Sequence, residues 1–196
     1  MNEQRTRRRR ISCAGTGLHS GTKVTLSLKP APADSGIRFR RADLGGLEVP
    51  ATVRHVGVNR YATGLTSDAA KVNTVEHLLA ALMSLGIDNV VVELNSPEVP
   101  IMDGSAAPFV YLIQEAGIKT LSNPRRYLKV LRPLSLSRGD KRIALYPSDH
   151  FKVTYSIAFD HPLLRHQART LRITEESFLE EIAPARTFGC LKEVEM

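Results

Sequence analysis

Residues 73–110 read NTVEHLLAALMSLGIDNVVVELNSPEVPIMDGSAAPFV, and their period changes as the stretch proceeds. Val75, Leu78, Leu79, Leu82 and Met83 recur at helical spacing, which predicts a helix with one apolar face. Asn73 followed by Glu76 has the form of a capping box, and Gly86 is a C-terminal stop. Residues 90–94 predict a buried strand and 96–104 a loop. Residues 106–116 predict a second helix, with Pro108 in its first turn and Gly117 at its end.

Upstream, Val24, Leu26 and Leu28 alternate within residues 22–29, as in a half-buried strand, and PAPADSG at 30–36 is the turn that ends it. Further strands are expected at 36–41 and 48–56, with a short one near 62–66. Downstream, residues 119–126 read as a linker. Strands resume at 127–136 and 142–146, pairing as a hairpin across 137–140, and again at 152–159 and 170–173. A helix around 175–182 has an acidic first turn, as the helix dipole favours, and ARTFGC at 185–190 starts another strand-like segment. Strands, helix, strand, helix, linker, then strands and a helix again define an α+β chain. The expected plan is a two-layer domain of sheet plus two helices over 1–122, then a second, incomplete domain of similar plan over 123–196.

Bulk properties exclude several classes. The 196 residues are 42% hydrophobic and 24% charged, ordinary for a globular protein able to bury a core. Two cysteines, Cys13 and Cys190, make no disulfide framework and point to a reducing compartment, the cytoplasm. The longest apolar run, 78–87, is too short for a transmembrane segment. The arginines at 7–10 are followed by no apolar stretch, which argues against a signal peptide. Residues 1–60 carry 12 Lys/Arg against 4 Asp/Glu, so the chain's net charge of +7 is concentrated there. Such a segment either attracts anions or is a solvated basic arm, and charge alone leaves both open.

Individual residues offer chemistry beside plainer readings. Glu76 and His77 open the first helix, where a carboxylate suits the positive helix end and could act as a general base. Glu76 is equally explained by the capping box, and His77 by a helix surface. Gly15-Thr16-Gly17-Leu18-His19-Ser20-Gly21 is neither a Walker loop nor a GxGxxG motif, and a tight turn accounts for it as well as ligand contact does. Asp103-Gly104-Ser105 can be a turn and helix cap. Thr187 offers one hydroxyl, and His161, followed by Pro162, reads as a loop residue.

Taken together, GTGLHSG at 15–21, the 73–110 block and ARTFG at 185–189, in that order, resemble the UDP-3-O-acyl-N-acetylglucosamine deacetylases of lipid A biosynthesis. The resemblance runs over essentially the whole chain. It implies hydrolysis of the N-acetyl amide of a UDP-linked glucosamine by water activated on one Zn2+, in a monomer with no nucleic acid partner. Its fold implication is two domains, each a sheet on two helices, with the active site between them. By the same resemblance His77 is a zinc ligand and Glu76 the general base. Thr187 steadies the oxyanion, Phe188 packs near the sugar, and His19 lies near the substrate.

The departure concerns the zinc site. A catalytic zinc normally has three protein ligands, and the family pattern takes two of them from a His-Lys-x-x-Asp segment. None of the six histidines in this chain is followed four residues later by Asp. The chain alone is therefore expected to lack the C-terminal part of the site and to be inactive. Two competing readings are a short non-catalytic relative that binds an anionic ligand or partner, and an RNA-binding module. The second lacks any basic patch interleaved with aromatics.

Overall fold

The computed structural model describes residues 3–57, 61–159 and 165–189; His161 and Cys190 lie outside these. Two compact units are present: residues up to Arg125 rejoined by those from Leu179, and Arg126–Phe178.

The first unit is built on a mixed five-stranded sheet. Its strands are β2 (Ile11–Thr16), β3 (Lys23–Pro30), β4 (Ile37–Arg41), β5 (Leu47–Pro50) and β9 (Val90–Leu94), in the order β2-β3-β9-β4-β5. The β4–β9 pair is parallel and the other pairs are antiparallel. Strand alternation sorts the faces: Val24, Leu26, Leu28, Phe39, Val49, Val90, Val92 and Leu94 are buried. Helices α1 (Glu76–Ser84) and α2 (Ala107–Glu115) add Leu78, Ala81, Leu82, Phe109, Leu112 and Ile113 to the core. Gly86, at φ +64, closes α1 in a Schellman arrangement, with Gly86 N–H donating to Met83 O and Ile87 N–H to Leu82 O. A small sheet of β6 (Val56–Gly57), β7 (Gly64–Thr66) and β8 (Lys71–Val72) precedes α1. This is the expected α+β class.

Several expectations need correction. Residues 119–126 are not a linker: β10 (Ile118–Pro124) pairs antiparallel with β1 (Glu3–Arg7). The Asn, Pro and Arg of 119–126 carry no alternating apolar signal, and the strand exists because β1 supplies its hydrogen bonds. For the same reason residues 3–7 are not a solvated arm. Residues 48–56 are not one strand; Pro50 ends β5, and a 3-10 turn at Val53–His55 leads into β6 in another sheet. Residues 185–189 form no strand.

The basic excess of residues 1–60 is largely engaged inside this unit. Arg5 Nη1 donates to Leu85 O at the end of α1 (3.2 Å). Arg7 Nη2 reaches Leu112 O (3.4 Å) and Arg9 Nη2 reaches Glu115 O (2.8 Å), both at the end of α2. Cations are favoured at helix C-termini, where carbonyls lack partners. On the five-stranded sheet Lys29 pairs with Glu93 (2.6 Å), while Arg40 (2.6 Å) and Arg38 (3.2 Å) pair with Glu48. Arg41 is buried against Asp43. Surface pairs of this kind contribute little stability each, about 0–1 kcal/mol, but they neutralise charge that would otherwise face a ligand.

The second unit contains two hairpins. β11 (Leu134–Arg138) pairs with β12 (Lys141–Leu145) across Gly139-Asp140, and β13 (Lys152–Ile157) pairs with β14 (Gln167–Arg172). Leu134, Leu136, Ile143 and Leu145 are exposed. Thr174 and Ser177 form a reciprocal capping box opening α3 (Glu175–Ser177), which continues as a π-helical turn, Phe178–Ile182.

Candidate functional site

The entry to α1 is constructed differently from the box that Asn73 and Glu76 suggest. The residue capping the helix is Val75, with no side-chain cap. Thr63, just before β7, takes over this role: its carbonyl accepts from Val75 N–H (3.2 Å) and its N–H donates to Glu76 Oε2 (3.0 Å). Thr74 precedes the helix at φ +58, a left-handed conformation that costs a β-branched residue about 1–3 kcal/mol. Glu76 and His77 are adjacent and half-buried at the first turn.

The glycine-rich segment 15–21 runs from the end of β2 into a tight loop, closed by Gly17 N–H donating to Thr22 O (2.9 Å) and Gly21 N–H to Gly17 O (3.0 Å). The loop exposes His19, whose ring stacks on Tyr61 with centroids 6.4 Å apart and planes 21° apart.

Glu98 joins these two segments, and nothing in the sequence reading singles it out. Its side chain is 1% exposed. Oε1 accepts from His19 N–H (3.0 Å) and from Thr74 Oγ1 (2.9 Å), and Oε2 accepts from Ser20 N–H (2.8 Å). Burial pushes this carboxyl upward more than any other single influence. The hydrogen bonds from His19, Ser20 and Thr74 together outweigh burial and hold the carboxyl below its ordinary value. Backbone bonds tie the same strip to both sides: Asn73 N–H to Pro97 O (2.8 Å), Val99 N–H to Asn73 O (3.0 Å) and Ile101 N–H to Thr16 O (3.0 Å). A lone acidic residue among Pro97, Val99 and Pro100 was the available signal, since a carboxylate amid apolar neighbours must be paired to be buried.

Farther along the strip, Asp103 Oδ1 accepts from Ser105 N–H (3.0 Å) and Ser105 Oγ (2.7 Å), while Ser105 Oγ accepts from Ala107 N–H (3.2 Å). This is the turn and helix cap expected there. The Ser105 hydroxyl is the main reason that the Asp103 carboxyl lies below the usual carboxylate range. Ala183 O accepts from the N–H groups of Ala106 and Ala107, and Thr187 N–H donates to Gly104 O (2.9 Å). Thr187 and Phe188 are thereby held beside the 101–105 turn, both exposed. The structure thus links the His19 loop, the Glu76–His77 turn and the Thr187 segment through one strip, residues 97–105. Among the described residues no hydrogen bond joins the side chains of His19, Glu76, His77 and Thr187 to one another.

A zinc ion would find His77 at this turn as a single imidazole donor. Among the described residues no three His, Cys, Asp or Glu side chains gather as a metal site. One donor does not fit a catalytic zinc, which needs three.

The α+β unit thus brings a Glu-His pair at a helix entry, a glycine-rich His loop and a threonine to one shared strip. The chain matches the model of the family described as LpxC, UDP-3-O-acyl N-acetylglycosamine deacetylase, over residues 4–196, and it belongs to that family. It is 49% identical to the UDP-3-O-acyl-N-acetylglucosamine deacetylase of Pseudomonas entomophila (strain L48), 48% to that of Hahella chejuensis (strain KCTC 2396) and 46% to that of Geotalea uraniireducens (strain Rf4). Each comparison covers 100% of this chain and 65%, 66% and 64% of the respective relative, so the chain spans about 65% of the length of the curated relatives that it matches.

Proposed function

We propose that this chain forms part of a zinc-dependent deacetylase that cleaves the N-acetyl amide of UDP-3-O-acyl-N-acetylglucosamine, a monomer acting in the cytoplasm in lipid A biosynthesis. The observation that carries the reading is the family match across the chain, with Glu76 and His77 side by side at a helix entry. No helix among the described residues is long and apolar enough to cross a membrane.

In this reading His77 is one zinc donor, and the others lie outside the described residues. Handling the proton and the oxyanion falls to the chain's own groups. Glu76, anchored by Thr63 N–H, takes a proton from the attacking water. The Thr187 hydroxyl donates to the oxyanion as the carbonyl carbon becomes tetrahedral, and the amide C–N bond then breaks as the nitrogen takes up the proton held by Glu76, releasing acetate and the amine. His19 and Phe188 flank the sugar. The anion-binding alternative gains no support from the basic segment, whose Arg5, Arg7, Arg9, Arg38, Arg40 and Arg41 are engaged within the unit.

The test is release of acetate from the substrate by the whole protein, together with its zinc content after dialysis. Wild-type protein should hold one zinc and turn over, and His77→Ala should lose both. Full activity of His77→Ala, or zinc retained at the wild-type level in it, would overturn the assignment.

A further inference from the structure

We propose that Glu98 is a positioning residue: one buried carboxylate that locks the His19 loop and the entry to α1 into a fixed mutual arrangement. The inference rests on the deacetylase reading for its activity readout and is independent of that reading for its structural one.

Three donors from two segments converge on this group. His19 and Ser20 offer backbone N–H groups from the loop, and Thr74 offers a hydroxyl two residues before Glu76. A buried ion is retained only when its lone pairs are satisfied, so the loop N–H groups and the Thr74 hydroxyl must stay where the carboxylate needs them. Two costly local features fit the demand. Thr74 holds a left-handed conformation that aims Oγ1 at Glu98. Gly17 is buried, and a Cβ there would run into Ser20 Oγ and Glu98 Oε2, so the loop can close on the carboxylate only without a side chain at that position. The pairing is also lateral: residues 73 and 98 form a parallel bridge, which sets Thr74 and Glu98 at neighbouring positions. Displacing the carboxylate therefore releases His19 on one side and the start of the Glu76–His77 turn on the other.

The effect can be read in the whole protein from the imidazole carbon NMR signals of His19 and His77, alongside kcat/KM and thermal unfolding. Glu98→Gln replaces one acceptor oxygen by a donor. It should shift both imidazole signals and lower kcat/KM per folded molecule by more than tenfold. Thr74→Val removes one bond to the carboxylate and should shift the His19 signal across the carboxylate bridge, while Thr74→Ser, which keeps the hydroxyl, should leave that signal at its wild-type position. This pair serves if Glu98→Gln does not fold. A His19 signal unmoved in Thr74→Val, or unchanged kcat/KM in folded Glu98→Gln, would overturn the proposal. His77→Ala is the control for the deacetylase reading. If that variant stays active the reading fails, and the imidazole signals alone decide the role of Glu98.

Discussion

Thr63 and Glu76 are joined by a hydrogen bond from the Thr63 N–H to Oε2 at 3.0 Å, and the Thr63 carbonyl accepts in turn from Val75 N–H. The helix entry is therefore closed by a residue from another segment, and the carboxylate proposed as a base has a structural task as well. Substitutions can separate the two tasks. Glu76→Gln keeps an acceptor for Thr63 and should unfold within about 0.5 kcal/mol of wild type, while deacetylation falls by about 10²-fold or more. Glu76→Ala should add a stability loss of about 1 kcal/mol, as for a lost helix cap. Denaturant unfolding and acetate release measure both. Equal activity of Glu76→Gln and wild type would remove the base assignment.

The elements legible in the sequence are those whose own residues determine them. Helix α1 follows from apolar spacing at Leu78 and Leu82, α2 from Pro108 in its first turn and Gly117 at its end, and β3 from the alternation of Val24, Leu26 and Leu28. What the sequence hides depends on partners distant along the chain. β10 has no pattern of its own and is a strand because Arg5 and Arg7 pair with Thr120 and Ile118. Of the short strands flanking the site, β7 falls within the strand expected near 62–66, whereas β6 and β8 are too brief for periodicity. At the site, Glu76 and His77 are visible through family resemblance. Glu98 escapes it because its importance lies in three donors that are 79, 78 and 24 positions away.

Arg7 yields a stability prediction. It is fully buried, its Nε and Nη1 have no hydrogen-bond partner, and burial lowers its pKa to about 10. Folding thus disfavours the charged form: the penalty is present in full below about pH 10 and is lifted only as pH rises from there toward the ordinary arginine value. The lowering corresponds to roughly 3 kcal/mol at neutral pH. Arg7→Met removes the charge but keeps an apolar stem, and should stabilise the protein by about 1–3 kcal/mol at pH 7, whereas Arg7→Ala leaves a cavity and should gain less. Chemical denaturation of both variants decides. A loss above about 2 kcal/mol in Arg7→Met would mean that its bond to Leu112 O outweighs the desolvation of the guanidinium.

Glu98 predicts a pH dependence of the opposite sign. Its folded-state pKa lies below the ordinary 4.5. Its ionised form therefore contributes stability in full above pH 4.5, and that contribution is lost as pH falls from there through the folded-state value. Unfolding free energy measured from pH 6 down to 3 should decline less steeply in Glu98→Gln than in wild type. Parallel curves for the two proteins would show that the carboxylate gains nothing from its donors.

Gly15 and Gly21 bracket the His19 loop and should respond to substitution for different reasons. At Gly15 a Cβ would lie 2.8 Å from Pro100 Cβ and 3.4 Å from Met102 Sδ, so a side chain must push the 98–105 strip aside. At Gly21 the surroundings are open, but φ is +62, which an L side chain adopts only at a cost. Gly15→Ala is an overpacking change, expected to cost about 1–3 kcal/mol, and Gly15→Asn should cost at least as much. Gly21→Ala should cost about 1–2 kcal/mol, and Gly21→Asn less, because asparagine tolerates the left-handed region. Since the strip displaced at Gly15 carries Glu98 and, at Gly104, the anchor of Thr187, Gly15→Ala should also depress turnover by more than its stability loss explains, and Gly21→Asn should not. Thermal unfolding and kcat measured on all four variants check the pattern. A Gly21→Asn variant as damaged as Gly15→Ala would indicate that crowding, and not backbone conformation, governs the loop at Gly21.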